Sequence, residues 1–236
     1  MQHATPERLV ELVPARPIPG PNHVCLIRCA PERVDAMVDA TRHVIAAHGL
    51  ECLWILDPDV QPPDLAQRLA ARGIVFEEET DVMVLPAGSP LKPGDSPVEI
   101  VDALRDAPTY EAAEAVEAVA FGHRAPPGWR QRFEDARTDA DRHGFLALLD
   151  GQPAGAGWGT VREHGVMLNG GVVHPRFRGR GVYRALLAAR MALARRAGVE
   201  GLATQARQNS SAPILARLGF TLVGHWRAHV DVSQRR

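Results

Sequence analysis

The sequence predicts an α+β fold built from two related halves. Three observations predict it. Short apolar segments bounded by turn residues alternate with amphipathic helical segments, the main helical segments stop at glycine, and the same order of segments occurs twice. The 236 residues suffice for one or two domains, and 45% hydrophobic with 23% charged residues fits a soluble globular protein with a core. Lys and Arg number 27 against 28 Asp and Glu, a net charge of −1. That balance gives no overall attraction to nucleic acid or an anionic membrane, and neither is expected as a partner.

Residues 1–20 hold several prolines and read as an irregular or short helical lead. His23 to Cys29 reads as a strand. Pro31 opens a helix to about His48, with Val34, Met37, Val38, Thr41 and Ile45 at helical spacing and Gly49 placed to end it. Glu51 to Leu56 is a second strand, and Asp64 introduces a short helix over 65–72 that Gly73 stops. Ile74 to Leu85 reads as a strand broken at the acidic run Glu77-Glu78-Glu79. After a proline- and glycine-rich stretch over 86–97 comes a short strand at Val98 to Val101, then helices over about 110–120 and 129–142. Phe145 to Leu149 and Ala154 to Arg162 form a hairpin about Asp150-Gly151. Val166 to Val173 is the next strand. The clearest helix runs from Val182 to Ala197, with Val182, Leu186, Ala189 and Leu193 on one face, Arg184 and Arg195 on the other, and Gly198 as its stop. Gly201 to Ala206 is a strand, Ala212 to Leu218 a short helix ended by Gly219, and 220–232 supplies one or two last strands.

The series from 23 to 85 and from 166 to 232 have the same order and similar lengths, which reads as a divergent repeat. The expected organisation is an N-terminal αβ unit over 1–92, a linker over 93–97 and a second domain over 98–236.

Cys25, Cys29 and Cys52 form no Cys-x-x-Cys pair, and the plain reading is small side chains in a reducing compartment. No zinc site is expected, since His23 alone adds too few ligands. No window resembles a membrane helix or a secretory leader, so the expectation is a cytoplasmic protein.

The chemistry concentrates in residues 169–187, NGGVVHPRFRGRGVYRALL. A strand enters a turn containing Gly179 and Gly181, and a long helix leaves it. The first amides of a helix have no internal partner and carry the positive end of its dipole. Glycine lets the backbone approach a ligand, so the turn is an anion site suited to a pyrophosphate, with Arg176, Arg178 and Arg180 adding charge. No Gly-Lys-Ser/Thr follows, so this is no Walker loop. The third glycine of the dinucleotide fingerprint is missing too. Its place between a strand and an amphipathic helix argues against a disordered arginine-glycine box. The corresponding turn in the first half, Arg28-Cys29-Ala30-Pro31, has no glycine and loses one amide donor to proline, so no phosphate cradle is expected there.

Over residues 97–236 the chain resembles the GNAT acetyltransferase superfamily. Arg178, Gly179, Arg180, Gly181 and Val182 match five places of its Gln/Arg-x-x-Gly-x-Gly/Ala signature. Tyr183 stands where Gly or Ala is usual, and a register shifted to Arg176–Gly181 also fits. Val-Val-His-Pro before the turn and Ala-Arg-Leu-Gly-Phe over 216–220 are typical of the family as well. The resemblance implies a mixed, mostly antiparallel sheet with helices on both faces; the repeat and the lost cradle suggest a smaller, degenerate unit of the same kind ahead of it in tandem, the alternative being an unrelated small αβ domain. The resemblance also implies acetyl-CoA as acyl donor, no metal, and an amine acceptor (small molecule, peptide or protein N-terminus) in a monomer or homodimer. Val172 and Val173 would pair with the pantetheine arm, and Arg178, Gly179, Arg180, Gly181, Val182, Tyr183 and Arg184 would surround the pyrophosphate. Glycines in Asn169-Gly170-Gly171 fit a bulge where the fourth and fifth strands of the family separate.

Catalytic residues are not assigned by the sequence. The tyrosine that many members use to protonate the leaving thiolate is matched here by Leu215. His174, Glu163 and His164 are weak base candidates. His123, Arg124 and Gln205 are candidates for substrate contact. A module that binds acetyl-CoA without catalysis, or one using another donor or acceptor, remains the alternative.

Overall fold

The computed structural model of the chain describes residues 1–14, 17–91, 97–122 and 128–234. Eleven strands and six α-helices are described: β1 Gln2–Thr5, β2 Arg8–Glu11, β3 His23–Cys25, α1 Val34–Ala46, β4 Leu53–Leu56, α2 Leu65–Ala71, β5 Ile74–Pro86, β6 Val98–Asp102, α3 Ala107–Phe121, α4 Trp129–Thr138, β7 Arg142–Leu149, β8 Gln152–Val161, β9 Val166–Val173, α5 Val182–Ala197, β10 Gly201–Arg207, α6 Ser211–Arg217 and β11 Thr221–Asp231. By packing, the chain forms two units, Met1–Val82 with Gly224–Arg236, and Met83–Val223. Among the described residues no helix is long and apolar enough to cross a membrane.

In the first unit β1, β2 and β3 pair antiparallel in succession. β3 lies parallel to β4 through His23↔Leu53, and β11 runs antiparallel to β4, with Val230 opposite Leu53. Its core gathers Val24, Val38, Ile45, Trp54, Leu65 and Leu69, from strands β3 and β4 and helices α1 and α2. β1 and β2 correct the reading of residues 1–20 as irregular. The alternation that marks a strand is hidden because Arg8 occupies an inward position, where its Nε donates to Thr41 Oγ1 at 2.5 Å. β3 ends four residues earlier than expected, because Leu26 takes a φ of 52° and turns the chain. β5 continues through Glu77-Glu78-Glu79 without the expected break. Those side chains remain at least partly in water, so their charges do not oppose strand formation.

In the second unit β6, β7, β8 and β9 are antiparallel neighbours and β10 joins β9 in parallel. This is the expected mostly antiparallel sheet with helices on both faces. α3 and α4 cover the face bearing Ala156, Trp158 and Val172, and α5 covers the face bearing Ala147 and Leu149. α3 begins three residues earlier than expected, because Asp106 caps it by accepting the Thr109 amide at 2.8 Å. α4 ends at Thr138, and β7 starts at Arg142.

The repeat is present as an order of elements: β3-α1-β4-α2-β5 answers β9-α5-β10-α6-β11. The turn after β3 uses its amides internally. Arg28 N–H donates to the Glu7 carbonyl at 2.8 Å and Cys29 N–H to the Gln61 carbonyl at 3.1 Å. The Arg28 guanidinium is held by Asp57 at 2.9 Å. This turn is therefore not expected to hold a phosphate, and a calorimetric titration with coenzyme A that reached two per chain would show otherwise.

Candidate active site

The site is built around β9. Val166 and Leu168 are buried, and the strand then meets Asn169-Gly170-Gly171. Gly157 of β8 pairs with Gly171 while Gly159 pairs with Leu168, so β9 carries an extra residue between the two pairings. Gly170 takes a φ of 79°, which a residue with a side chain adopts only with strain. Thr160 Oγ1 donates to Asn169 Oδ1 at 2.6 Å beside this bulge. The parallel pairing with β10 covers only Leu202↔Val166 and Ala203↔Met167. β9 runs on to Val173 and β10 to Arg207, so the two strands part after that second pair. Val172, Val173 and Gln205 all lie in the separated stretch, with Gln205 exposed.

The chain then turns into α5. His174 Nδ1 accepts the Arg176 amide at 3.2 Å, a structural role. Phe177 and Val182 are buried together with Leu149, Ala154 and Leu186, and so pin both ends of the turn. Between them Gly179 and Gly181 have φ of 75° and 78°. Ala185 N–H is the first to bond back, to the Gly181 carbonyl at 3.0 Å. The amides of Gly179, Arg180 and Gly181 have no backbone partner among the described residues, and those of Val182, Tyr183 and Arg184 are the free first donors of the helix. Arg176, Arg178 and Arg184 are exposed. Arg180 is engaged instead with Asp150 of the β7–β8 turn, at 3.1 Å, and lies over the Phe177 ring.

Each face of the sheet at the bulge carries ionisable groups. On the α3 face, Glu117 Oε1 accepts the Trp158 indole N–H at 2.8 Å, and a Cβ placed on Gly170 would come within 3.5 Å of the same oxygen. Behind it Arg132 and Glu114 form a buried ion pair at 2.5 Å. Burial would lower the Arg132 pKa, but the Glu114 carboxylate outweighs it and raises it. On the α5 face lies Arg190, whose side chain is fully enclosed. Its Nε donates to the Leu186 carbonyl at 3.1 Å and Nη1 to the Gly170 carbonyl at 2.9 Å. Nη2 is buried with no hydrogen-bond partner among the described residues. Gly157 and Gly171 leave room for the guanidinium: a Cβ there would lie a tight 3.2 Å and 3.0 Å from it. Burial depresses the Arg190 pKa, opposed by the neighbouring Tyr183 phenol.

Leu215 is buried in the apolar cluster with Leu168, Leu187 and Ala206, and offers no proton. Glu163 and His164 are exposed, His164 pairing with Glu200 at 3.2 Å. His123 and Arg124 lie outside the described residues. The sequence reading overlooked Glu117 and Arg190, although a signal for both was present. Tyr110, Ala113, Glu114 and Glu117 fall at i, i+3, i+4 and i+7, and Arg190 falls four residues after Leu186. All three charges therefore stand on apolar helix faces, where an ionisable group needs a reason.

The family described as "Acetyltransferase (GNAT) family" matches residues 109–220. No curated protein sequence matches the chain. Among solved structures, a GCN5-related N-acetyltransferase from Kribbella flavida is similar with a TM-score of 0.73 and 17% identity, covering 98% of this chain and 89% of its own. A GCN5-related N-acetyltransferase from Sphaerobacter thermophilus has a TM-score of 0.67 and 17% identity, covering 95% and 76%. A tandem GNAT protein from the clavulanic acid biosynthesis pathway has a TM-score of 0.61 and 19% identity, covering 89% and 74%. The chain thus has the fold of these solved structures, one of them a tandem GNAT protein, and its residues 109–220 match the GNAT acetyltransferase family.

Proposed function

We propose that the chain is an acetyl-CoA-dependent N-acetyltransferase that passes the acetyl group directly to an amine. The observation that carries this reading is the juxtaposition of a separated β9–β10 pair with a helix N-terminus whose leading amides are unused. Such a terminus, with Arg178 and Arg184 at its rim, suits a pyrophosphate. β9 is paired with β8 at Val172 and Val173, but its side toward β10 is unpaired beyond Met167, and that side suits the amides of a pantetheine arm. The donor supplies an activated acyl group, and the chain supplies position and proton traffic.

Amine attack requires the neutral amine, so a base must take a proton from the ammonium. Glu117 has the chemistry and the place: a carboxylate beside the bulge, oriented by the Trp158 indole. Glu117→Gln keeps the indole bond and removes the basic oxygen. It is expected to lower kcat about 100-fold, the usual order for loss of a positioned base, with coenzyme A affinity unchanged. Thiol release from acetyl-CoA across a panel of polyamines, amino acids and short peptides measures this. Undiminished turnover by the variant would remove Glu117 from the mechanism. The buried Leu215, in place of a proton donor, favours the second reading, a module that binds acetyl-CoA without transfer. That reading gains if acetyl-CoA raises the melting temperature while no amine releases thiol.

As a sequence repeat, residues 1–92 are read as a degenerate unit of the same kind, 93–97 as the linker and 98–236 as the transferase domain. The matching order of elements and the occupied turn at Arg28-Cys29 support this.

A further inference from the structure

We propose that Tyr183 replaces the proton donor missing at position 215, delivering its hydroxyl proton to the leaving sulfur, and that Arg190 is the positioning residue that makes this possible. The inference rests on the transferase reading.

Tyr183 and Arg190 are seven residues apart, on one face of α5 two turns from each other. Helical side chains lean toward the N-terminus, and Arg190 does so, reaching back past the Leu186 carbonyl toward the first turn where Tyr183 sits. The Tyr183 ring packs on the cluster that includes Leu168 of β9, Ala206 of β10 and Leu215 of α6. A Cβ on Gly171 would lie 3.3 Å from Tyr183 Cε2 and 3.0 Å from Arg190 Nη2. Phenol and guanidinium therefore meet under the same glycine, in the stretch of β9 that β10 no longer covers. Tyr183 is only partly buried, whereas the Arg190 guanidinium is sealed from solvent.

Two features give this pair a chemical purpose. Burying an arginine nitrogen without a partner is costly, and such a group persists where an anion forms near it. A phenol that gives up its proton beside a guanidinium becomes such an anion. Burial raises the Tyr183 pKa and the Arg190 cation only partly opposes that rise, so the phenol holds its proton at neutral pH and Arg190 lessens the cost of the phenolate it leaves. In the step, the amine nitrogen–carbon bond forms and the carbon–sulfur bond breaks. The bonding pair stays on sulfur, which takes the Tyr183 proton. The nitrogen, cationic once it has attacked, sheds its proton to water, and water returns a proton to the phenolate, whose charge Arg190 balances meanwhile.

The test pairs a binding measurement with a rate. Calorimetry with coenzyme A and with desulfo-coenzyme A, which lacks the thiol, reads the contact to sulfur directly. Wild-type protein is expected to bind coenzyme A about tenfold more tightly than the desulfo compound, the size of one hydrogen bond to a polarised group. Tyr183→Phe is expected to bind the two alike, with desulfo-coenzyme A affinity unchanged. Its kcat for thiol release should fall 30-fold or more while the KM for acetyl-CoA stays within about twofold. Arg190→Lys, which keeps the cation, should retain more of the coenzyme A preference than Arg190→Met. A Tyr183→Phe protein that keeps the preference for the thiol, or turns over at the wild-type rate, overturns the inference alone. Wild-type protein that binds acetyl-CoA and releases no thiol with any amine overturns the transferase reading, and this inference with it.

Discussion

Gly181→Asp is expected to abolish useful coenzyme A binding while leaving the fold intact. Gly181 is the N-cap of α5, with φ 78° and ψ −4°. Aspartate tolerates the left-handed region better than most residues, at a cost of about 1 kcal/mol. It is also a favoured N-cap, and its charge suits the positive end of the helix dipole. The two effects nearly cancel, so the melting temperature without ligand should change little. The ligand meets the opposite situation. The carboxylate would face a doubly charged pyrophosphate across roughly 5 Å, and at an intermediate effective dielectric that repulsion amounts to about 3 kcal/mol or more. The dissociation constant for coenzyme A should therefore rise at least about 100-fold by calorimetry. Arg178→Glu should act in the same direction, more weakly and with greater sensitivity to salt, because Arg178 is exposed and screened. An unchanged affinity in Gly181→Asp would mean that the phosphates dock elsewhere, and the reading of this turn would fall.

The turn and its flanking elements were legible in the sequence because local rules decide them. β9 at Val166–Val173 and α5 at Val182–Ala197 fall where the apolar pattern puts them, since Gly181 and Gly198 both take left-handed conformations that fix the helix ends. The bulge was foreshadowed by Gly170-Gly171 for the same reason. What the chain did not disclose is what only packing creates. Arg8 broke the pattern of β2, because its inward place depends on Thr41, which lies far along the chain. β11 was legible as a strand, but its pairing with β4 was not. β11 closes the second copy of the repeat, whereas β4 lies within the first, so the division by packing differs from the boundaries suggested by composition. Glu117 and Arg190 were visible as charges on apolar helix faces, yet their meaning needed the sheet. Only the bulge at Gly170 shows that one carboxylate and one guanidinium flank the same peptide from opposite faces.

Arg42→Met should destabilise the first unit strongly, with a dependence on pH that identifies its cause. The Asp231 side chain is fully buried at the end of β11. Its Oδ2 accepts Arg42 Nε at 2.6 Å, and its Oδ1 accepts Arg42 Nη2 at 3.0 Å and Ser233 Oγ at 2.6 Å. Arg42 Nη2 also donates to the Arg72 carbonyl at 2.6 Å, so one guanidinium joins α1, the end of α2 and β11. Burial alone would raise the Asp231 pKa, but the hydrogen bonds from Arg42 and Ser233 outweigh it and hold it below the ordinary carboxylate value. A depressed carboxylate pKa stabilises the folded chain above the unfolded pKa of about 4, and that contribution is lost as pH falls through the folded value. Removing Arg42 strands a buried carboxylate, a loss of about 3–5 kcal/mol at neutral pH. Burial, the largest influence on Asp231, is then opposed only by the two Ser233 bonds, so its pKa rises and protonation as pH falls relieves part of the penalty. The stability gap between wild type and Arg42→Met, measured by urea unfolding, should therefore be large at pH 7 and markedly smaller at pH 4. Arg42→Met combined with Asp231→Asn should recover part of the loss at pH 7, because no charge is left buried. A gap of equal size at both pH values, or no recovery in the double variant, would mean that Arg42 acts through the packing of its aliphatic chain instead of through its charge.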